Sequence, residues 1–399
     1  MELPHFDFLA DFATVSVQGR ARSSNQDVIL CDPKISLFGV ADGLGGHAAG
    51  EVAARIAVDT ATEHLRSGQM RETVGRFAAD PNIENRRAVL ALLEEAVHEA
   101  HRAVVAEGTD DPAKQDMGTT LDLVLLVRDR AFVAHVGDSR VYLLRPTVTL
   151  QLTDDHKRYD GMRSSSGRTP PSSSAGPLSN SIGQRSELRV DTVFAALETG
   201  DRLIVGSDGA FSDIENENTL AKPTDTPGAD NCCALLLDNA QNAGGLDDIS
   251  LVVVDVGSAV EHAGGKASHA AEDAAIAGTS PLLCELNAAQ QKALLASAIE
   301  LDLPNERTLA RRITGDRVAY IILEGSVKLH SGRTLGPSGM LHAESLVDLA
   351  RREALPVTAE PTRLLRIRLD DFEEVCAQDR DLAARLYERL ARHLARIAP

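Results

Sequence analysis

The chain has 399 residues, 43% of them hydrophobic and 25% charged, with a formal net charge of −18. That length suits two or three domains, each with a sizeable core, and the acidic balance argues against nucleic acid as a partner. The N-terminus, MELPHFDFLADF, lacks a basic region and a long apolar stretch, and no later segment approaches the roughly 20 apolar residues of a membrane span, so a soluble cytoplasmic protein with no membrane contact is expected.

The charge is unevenly placed. Residues 281 to 399 carry 17 basic and 17 acidic side chains, so the whole negative excess lies upstream. That suits a cation site there, and a solvated acidic surface explains it equally well. Five cysteines in no metal-ligand spacing read as buried free thiols.

In chain order, residues 11 to 256 alternate strand-like runs (ISLFGVA, LDLVLLV, AFVAHVG, RLIVGS, ISLVVVDV) with helix-like ones (GEVAARIAVDTATEHL and RRAVLALLEEAVHEAHRAVVAE). The short connection Arg128-Asp129-Arg130 between LDLVLLV and AFVAHVG predicts a hairpin, hence a sheet that is at least partly antiparallel. Residues 161 to 177, rich in Ser, Gly and Pro, read as a mobile loop. From 257 to 280 the chain turns to Ala, Gly and His without apolar periodicity, which predicts an interdomain linker. Helix-like LNAAQQKALLASAIE, strand-like VAYIILEGSVKLH and TRLLRIRL, and a closing helix, DLAARLYERLARHLARI, make up residues 281 to 399. The closing helix carries Leu382, Leu386, Leu390 and Leu394 as one apolar stripe, fit to pack on its own domain or against a second copy as a homodimer.

Four aspartates sit where short apolar runs meet turns, each beside or near a glycine: Asp42, Asp138, Asp208 and Asp247. Taken singly, each reads as a turn or cap residue. Together they are how a sheet gathers carboxylates for a hard divalent cation such as Mg²⁺ or Mn²⁺.

The strings RSSNQD, DGLGGH, MGTT, VGDSRVYLL, LTDDH, LSNSIG, GSDGAFSDI and DDISLVVV occur in an order that resembles the metal-dependent Ser/Thr protein phosphatases, the PPM or type 2C family, over residues 11 to 256. The resemblance implies an α+β fold, a β-sandwich of two mainly antiparallel sheets flanked by helices. It implies that Asp42 bridges two Mn²⁺ or Mg²⁺ ions, that the Gly43 carbonyl joins the second and that Asp208 and Asp247 hold the first. A third, weaker site would use Asp138 with Asp208. Arg22 would bind the phosphate, and His47 would donate a proton to the leaving group, while water attacks phosphorus in line without a phosphoenzyme. The implied partners are phosphorylated proteins and a Ser/Thr kinase of the same, bacterial, pathway. His135 and His156 read as packing or loop residues.

Three positions depart from the family pattern. Gln26 stands where many members have Glu, with Asp27 beside it as a supporting residue; Asp247-Asp248 replaces an Asp-Asn pair, with Asp247 in the ligand's place; and residues 161 to 177 lack the apolar helical flap. Residues 281 to 399 resemble a cyclic-nucleotide-binding-like domain, a small β-roll flanked by helices. Its phosphate cassette is degenerate: Ala343 stands for the glycine, Glu344 is kept, and the arginine position falls near Glu353-Ala354, with Arg351 or Arg352 in reach only after a register shift. The expectation is a regulatory or dimerisation module that takes no nucleotide. The rivals are a phosphoprotein-binding adaptor without turnover and a cyclic-nucleotide-regulated phosphatase.

Overall fold

A strand such as LDLVLLV is apolar on both faces, so it needs cover on both sides. In a computed structural model, which describes residues 6–44, 49–145, 148–157, 178–184, 188–211, 220–259, 270–303, 305–309, 312–313, 316–347 and 355–397, helices supply the outer cover. His47, the 161–177 loop, and Arg351, Arg352, Glu353 and Ala354 lie outside the described residues. The chain divides into two units, Met1–Lys266 and Ala267–Pro399.

The first unit opens with β1 (Phe8–Val17), β2 (Val28–Asp32), β3 (Leu37–Ala41), β4 (Gly43–Leu44), α1 (Ala49–Leu65), α2 (Gly68–Ala79) and α3 (Ile83–Asp110). It continues with β5 (Gly118–Thr119), β6 (Leu121–Val127), β7 (Arg130–Val136), β8 (Arg140–Arg145) and β9 (Val148–Gln151). It ends with β10 (Asp191–Ala196), β11 (Arg202–Gly206), α4 (Ala221–Asp225), α5 (Ala229–Asn242) and β12 (Ile249–Ala259). Two five-stranded antiparallel sheets form, β1-β12-β11-β8-β9 and β10-β7-β6-β3-β2, with β11 and β12 lying over β3. The outer face of the second sheet, through Leu121, Leu123, Leu125, Val127 and Phe132, packs on α1, α2 and α3. The outer face of the first, through Tyr142, Ile204, Leu251 and Val253, packs on α5. This is the expected sandwich.

The hairpin forms as its spacing predicts, with Leu121 opposite Val136 and Val127 opposite Arg130. Arg128 takes the tight turn at φ 56°, and its guanidinium lies 2.9 Å from Asp7. One acid interrupts the apolar run of β6. Asp122 is fully buried, and its cross-strand partner is His135, whose Nδ1 is 2.5 Å away. Burial pulls the imidazole down, but the Asp122 carboxylate outweighs it and pushes His135 up to about 9.

The second unit comprises α6 (Ala270–Gly278), α7 (Ala288–Leu295), β13 (Ile299–Leu303), β14 (Arg312–Ile313), β15 (Asp316–Glu324) and β16 (Val327–Lys328). It continues with β17 (Thr334–Leu335), β18 (Met340–Leu341), β19 (Val357–Thr358), β20 (Thr362–Arg368), α8 (Leu369–Gln378) and α9 (Arg380–Ile397). Strands β13-β20-β15-β14 form one sheet, with β18 also on β15, and β17-β16-β19 another. The helix expected over 286–300 stops at Leu295, where the Ser297 hydroxyl donates back to the Leu294 carbonyl at 2.7 Å, and Ile299 starts a strand. Part of the 257–280 segment is ordered: α6 buries Ala277 in the second unit's core, and its Asp273 receives two bonds from Arg363, at 2.5 and 2.8 Å. On α9, Leu382, Leu386 and Leu390 are buried in the unit's own core, and Leu394 packs against it.

Candidate functional site

Every acid singled out in the first unit stands at the end of a strand. Asp42 lies between β3 and β4, Asp138 just after β7, Asp208 just after β11, and Asp247 just before β12. Asp27, directly before β2, joins them.

The backbone of Asp42 is held from the MGTT string. Its amide donates to the Thr120 hydroxyl at 2.9 Å, its carbonyl accepts from the Thr119 hydroxyl at 2.8 Å, and Thr120 is in turn bonded to Ser139 at 2.7 Å. Gly43 must be glycine, because a Cβ there would lie 2.4 Å from the Gly50 carbonyl oxygen and 2.7 Å from that of Gln26. The VGDSR and LTDDH strings are tied by Arg140, which donates to both oxygens of Asp155 at 2.9 and 2.8 Å. Lys157, which follows LTDDH, places its ammonium 2.8 Å from Asp138.

The neighbouring acids Asp247 and Asp248 have different surroundings. Asp248 is buried, one oxygen accepting from the Gly19 amide and the other from the Gln26 amide, both at 2.8 Å. Gly19 allows that approach, since a Cβ would lie 2.2 Å from the Asp247 carbonyl carbon. Asp247 is about one-third exposed and faces Arg22, whose fork closes on it with two bonds of 2.6 Å. Arg22, expected on the phosphate, is thus placed on a carboxylate at the edge of the acidic group.

Burial and repulsion dominate the electrostatics. Asp42 is pushed well above the carboxylate range by burial and then by Asp27, Asp208, Asp138 and Asp247. Burial, then Asp138, pushes Asp208 up to about 7. Asp27 is pushed up to about 6, chiefly by burial; the Ser207 and Ser250 hydroxyls offset part of this, yet both carboxylate oxygens are buried without a well-formed hydrogen bond. Among the described residues no three His, Cys, Asp or Glu side chains stand close enough to close on an ion as placed, Asp247 being turned onto Arg22 and Asp138 onto Lys157. The donors are nonetheless all hard oxygens, and crowded acids with orphaned oxygens suit a divalent cation, which relieves their repulsion. In the chemistry of their donors these residues fit such an ion.

Residues 19–227 match the family model described as protein phosphatase 2C. The chain is 32% identical over 249 residues to the protein phosphatase PhpP of Streptococcus pneumoniae, spanning 60% of this chain and 94% of that one. It is 27% identical over 332 residues to the serine/threonine protein phosphatase PstP of Mycobacterium tuberculosis, spanning 82% of this chain and 60% of the relative. Among solved structures, the catalytic domain of PstP in complex with 2 manganese ions resembles it at a TM-score of 0.51 and 28% identity, over 62% of this chain and 99% of that one. The serine/threonine phosphatase of S. agalactiae does so at 0.51 and 28%, over 62% and 100%. A sandwich with acids gathered at its strand ends and these relatives define a phosphoprotein phosphatase. The chain belongs to the protein phosphatase 2C family, and the family match lies within the first unit.

Lys157 and the Asp248 clamp were not foreseen from the sequence. Lys157 adjoins a recognised string, but its meaning depends on Asp138, which the chain brings back from 19 positions upstream.

Proposed function

We propose that the first unit hydrolyses phosphoserine and phosphothreonine in proteins by direct attack of water on phosphorus, without a phosphoenzyme. The observation that carries this is the mutual crowding of Asp27, Asp42, Asp138, Asp208 and Asp247 at one set of strand ends, with an arginine at their edge. Asp42, the Gly43 carbonyl, Asp208 and Asp247 would hold Mn²⁺ or Mg²⁺. Bound there, such ions lower the pKa of water and neutralise phosphoryl charge.

The Arg22–Asp247 pair supports the same reading. Both partners are partly exposed, so their separation costs little, and it leaves a carboxylate for an ion and a planar fork for two phosphoryl oxygens. Asp27, raised chiefly by burial and also by Asp248 and Asp247, would act as a supporting residue beside the same acids. His47 would donate a proton to the leaving alkoxide. Substrates are phosphoproteins, opposed by a Ser/Thr kinase, in the cytoplasm; among the described residues no helix is long and apolar enough to cross a membrane.

The second unit, in this reading, is a regulatory module without a nucleotide. Ala343 stands in the cassette's glycine place, and buried Glu344 is turned towards His342, 3.5 Å away, inside the unit. With its leucines inside its own core, α9 offers no stripe to a second copy, and light scattering at micromolar concentration should report a monomer. Hydrolysis of a phosphothreonine peptide with Mn²⁺, with Mg²⁺ and with chelator, beside Asp208→Ala, tests the enzyme. Metal-dependent turnover lost in the variant is expected. Tight phosphopeptide binding without turnover by either metal would instead make the chain an adaptor.

A further inference from the structure

The backbone carrying Lys157 is fixed against the strand end that carries Asp138. The His156 amide donates to the Gly137 carbonyl at 2.6 Å, and the Gly137 amide donates to His156 Nδ1 at 3.2 Å. The opposite ring nitrogen, Nε2, lies 3.0 Å from Asp191, and the Ser179 amide donates to the His156 carbonyl at 2.7 Å. Lys157 itself bridges to Leu178. The lysine stem therefore starts from a rigid base, and its ammonium reaches Asp138 at 2.8 Å with both side chains only 8% exposed. The next carboxylate, Asp155, is 4.0 Å away and already has both oxygens on Arg140. Asp208 also acts on the ammonium by its charge.

We propose that the Lys157 ammonium is a built-in cation at the Asp138–Asp208 place, standing where a third divalent ion would otherwise be held, so that this phosphatase loads two ions. The inference rests on the reading of Asp138 and Asp208 as the third ion's carboxylates. A divalent ion touching Asp138 must expel a monovalent cation from an almost dry contact or accept its repulsion at close range, and either lowers its affinity. A compact ammonium with three donors suits the task, because it bonds one carboxylate while its charge serves a second.

Calorimetric titration of Mn²⁺ into the metal-stripped full chain counts the ions. Wild type is expected to take two, with the count unchanged by Asp138→Asn. Lys157→Met and Lys157→Ser are expected to gain a third ion, at least about tenfold tighter than any further binding by wild type, and to lose it when Asp138→Asn is added. Three ions in wild type, the third removed by Asp138→Asn, would overturn the proposal even if neither lysine variant folds. So would a folded variant, checked by circular dichroism, that still takes only two. No Mn²⁺ binding by wild type, with Asp42→Asn equally inert, would instead sink the metal reading of the whole site and the lysine inference with it.

Discussion

Asp247 and Asp248 are adjacent acids with opposite expected effects on stability and turnover. Replacing Asp248 by alanine strands the buried amides of Gly19 and Gln26, each now bonded to it at 2.8 Å. A hydrogen bond to a charged group contributes about 1.5–3 kcal/mol, so the loss of both is expected to cost the first unit about 3–6 kcal/mol. Asp247 is held by an exposed ion pair, which is worth about 0–1 kcal/mol, and by the half-buried Asp248 amide, which donates to it at 2.8 Å and adds about 1 kcal/mol, while its removal relieves repulsion on Asp42, Asp208 and Asp27. Asp247→Ala should therefore stay within about 2 kcal/mol of wild type in chelator yet lose Mn²⁺-dependent turnover. The chain has no tryptophan, so urea unfolding followed by far-ultraviolet circular dichroism is the direct assay, with the first unit's transition read separately. An Asp247→Ala that destabilises as much as Asp248→Ala, or an Asp248→Ala within about 1 kcal/mol of wild type, would refute the assignment.

Three further outcomes are expected. Asp208 titrates at about 7 in the fold against 3.8 when unperturbed, so between those values the folded state binds the extra proton and stability falls as pH rises. In chelator the melting temperature should drop less from pH 5 to pH 8 in Asp208→Asn than in wild type, and equal slopes would count against the raised value. His135→Leu leaves Asp122 buried and unpaired and should cost about 3–5 kcal/mol, whereas Asp122→Leu with His135→Leu should recover most of it, as a double-mutant cycle in urea can measure. Gly43→Ala forces a methyl between two backbone carbonyls and should cost about 1–3 kcal/mol by the same assay, together with turnover; normal turnover would show that the loop adapts.

The first unit was legible where local pattern and packing agree. LDLVLLV and AFVAHVG differ from helices in length and in their two-residue turn, and the sheet follows from them. Helices α2 and α5 were not foreseen. Their buried faces, Met70, Val74 and Phe77 in one and Cys232, Cys233 and Leu236 in the other, are short and interrupted by polar residues. The alanine-rich segment holding α6 reads as a linker because its order comes from a distant partner, Arg363, rather than from periodicity. The acids singled out beside glycines do stand at strand ends, and they act on one another by charge. What each side chain faces was not readable in the sequence, since Arg22 on Asp247 and Lys157 on Asp138 join residues 225 and 19 positions apart.

The first strand of the phosphatase unit pairs with its last, Phe8 opposite Ala259 and Val17 opposite Ile249, and the Asp248 clamp joins the same two ends of the chain. During synthesis the β10-β7-β6-β3-β2 sheet and its three helices can assemble from residues 28 to 196, but among the described strands β1 has none to pair with until β12 has left the ribosome. Asp247 arrives with that last strand. A nascent or prematurely ended chain therefore carries folded layers and most of the acids but an unfinished centre, and dephosphorylating capacity arises only once the unit's full length has been translated.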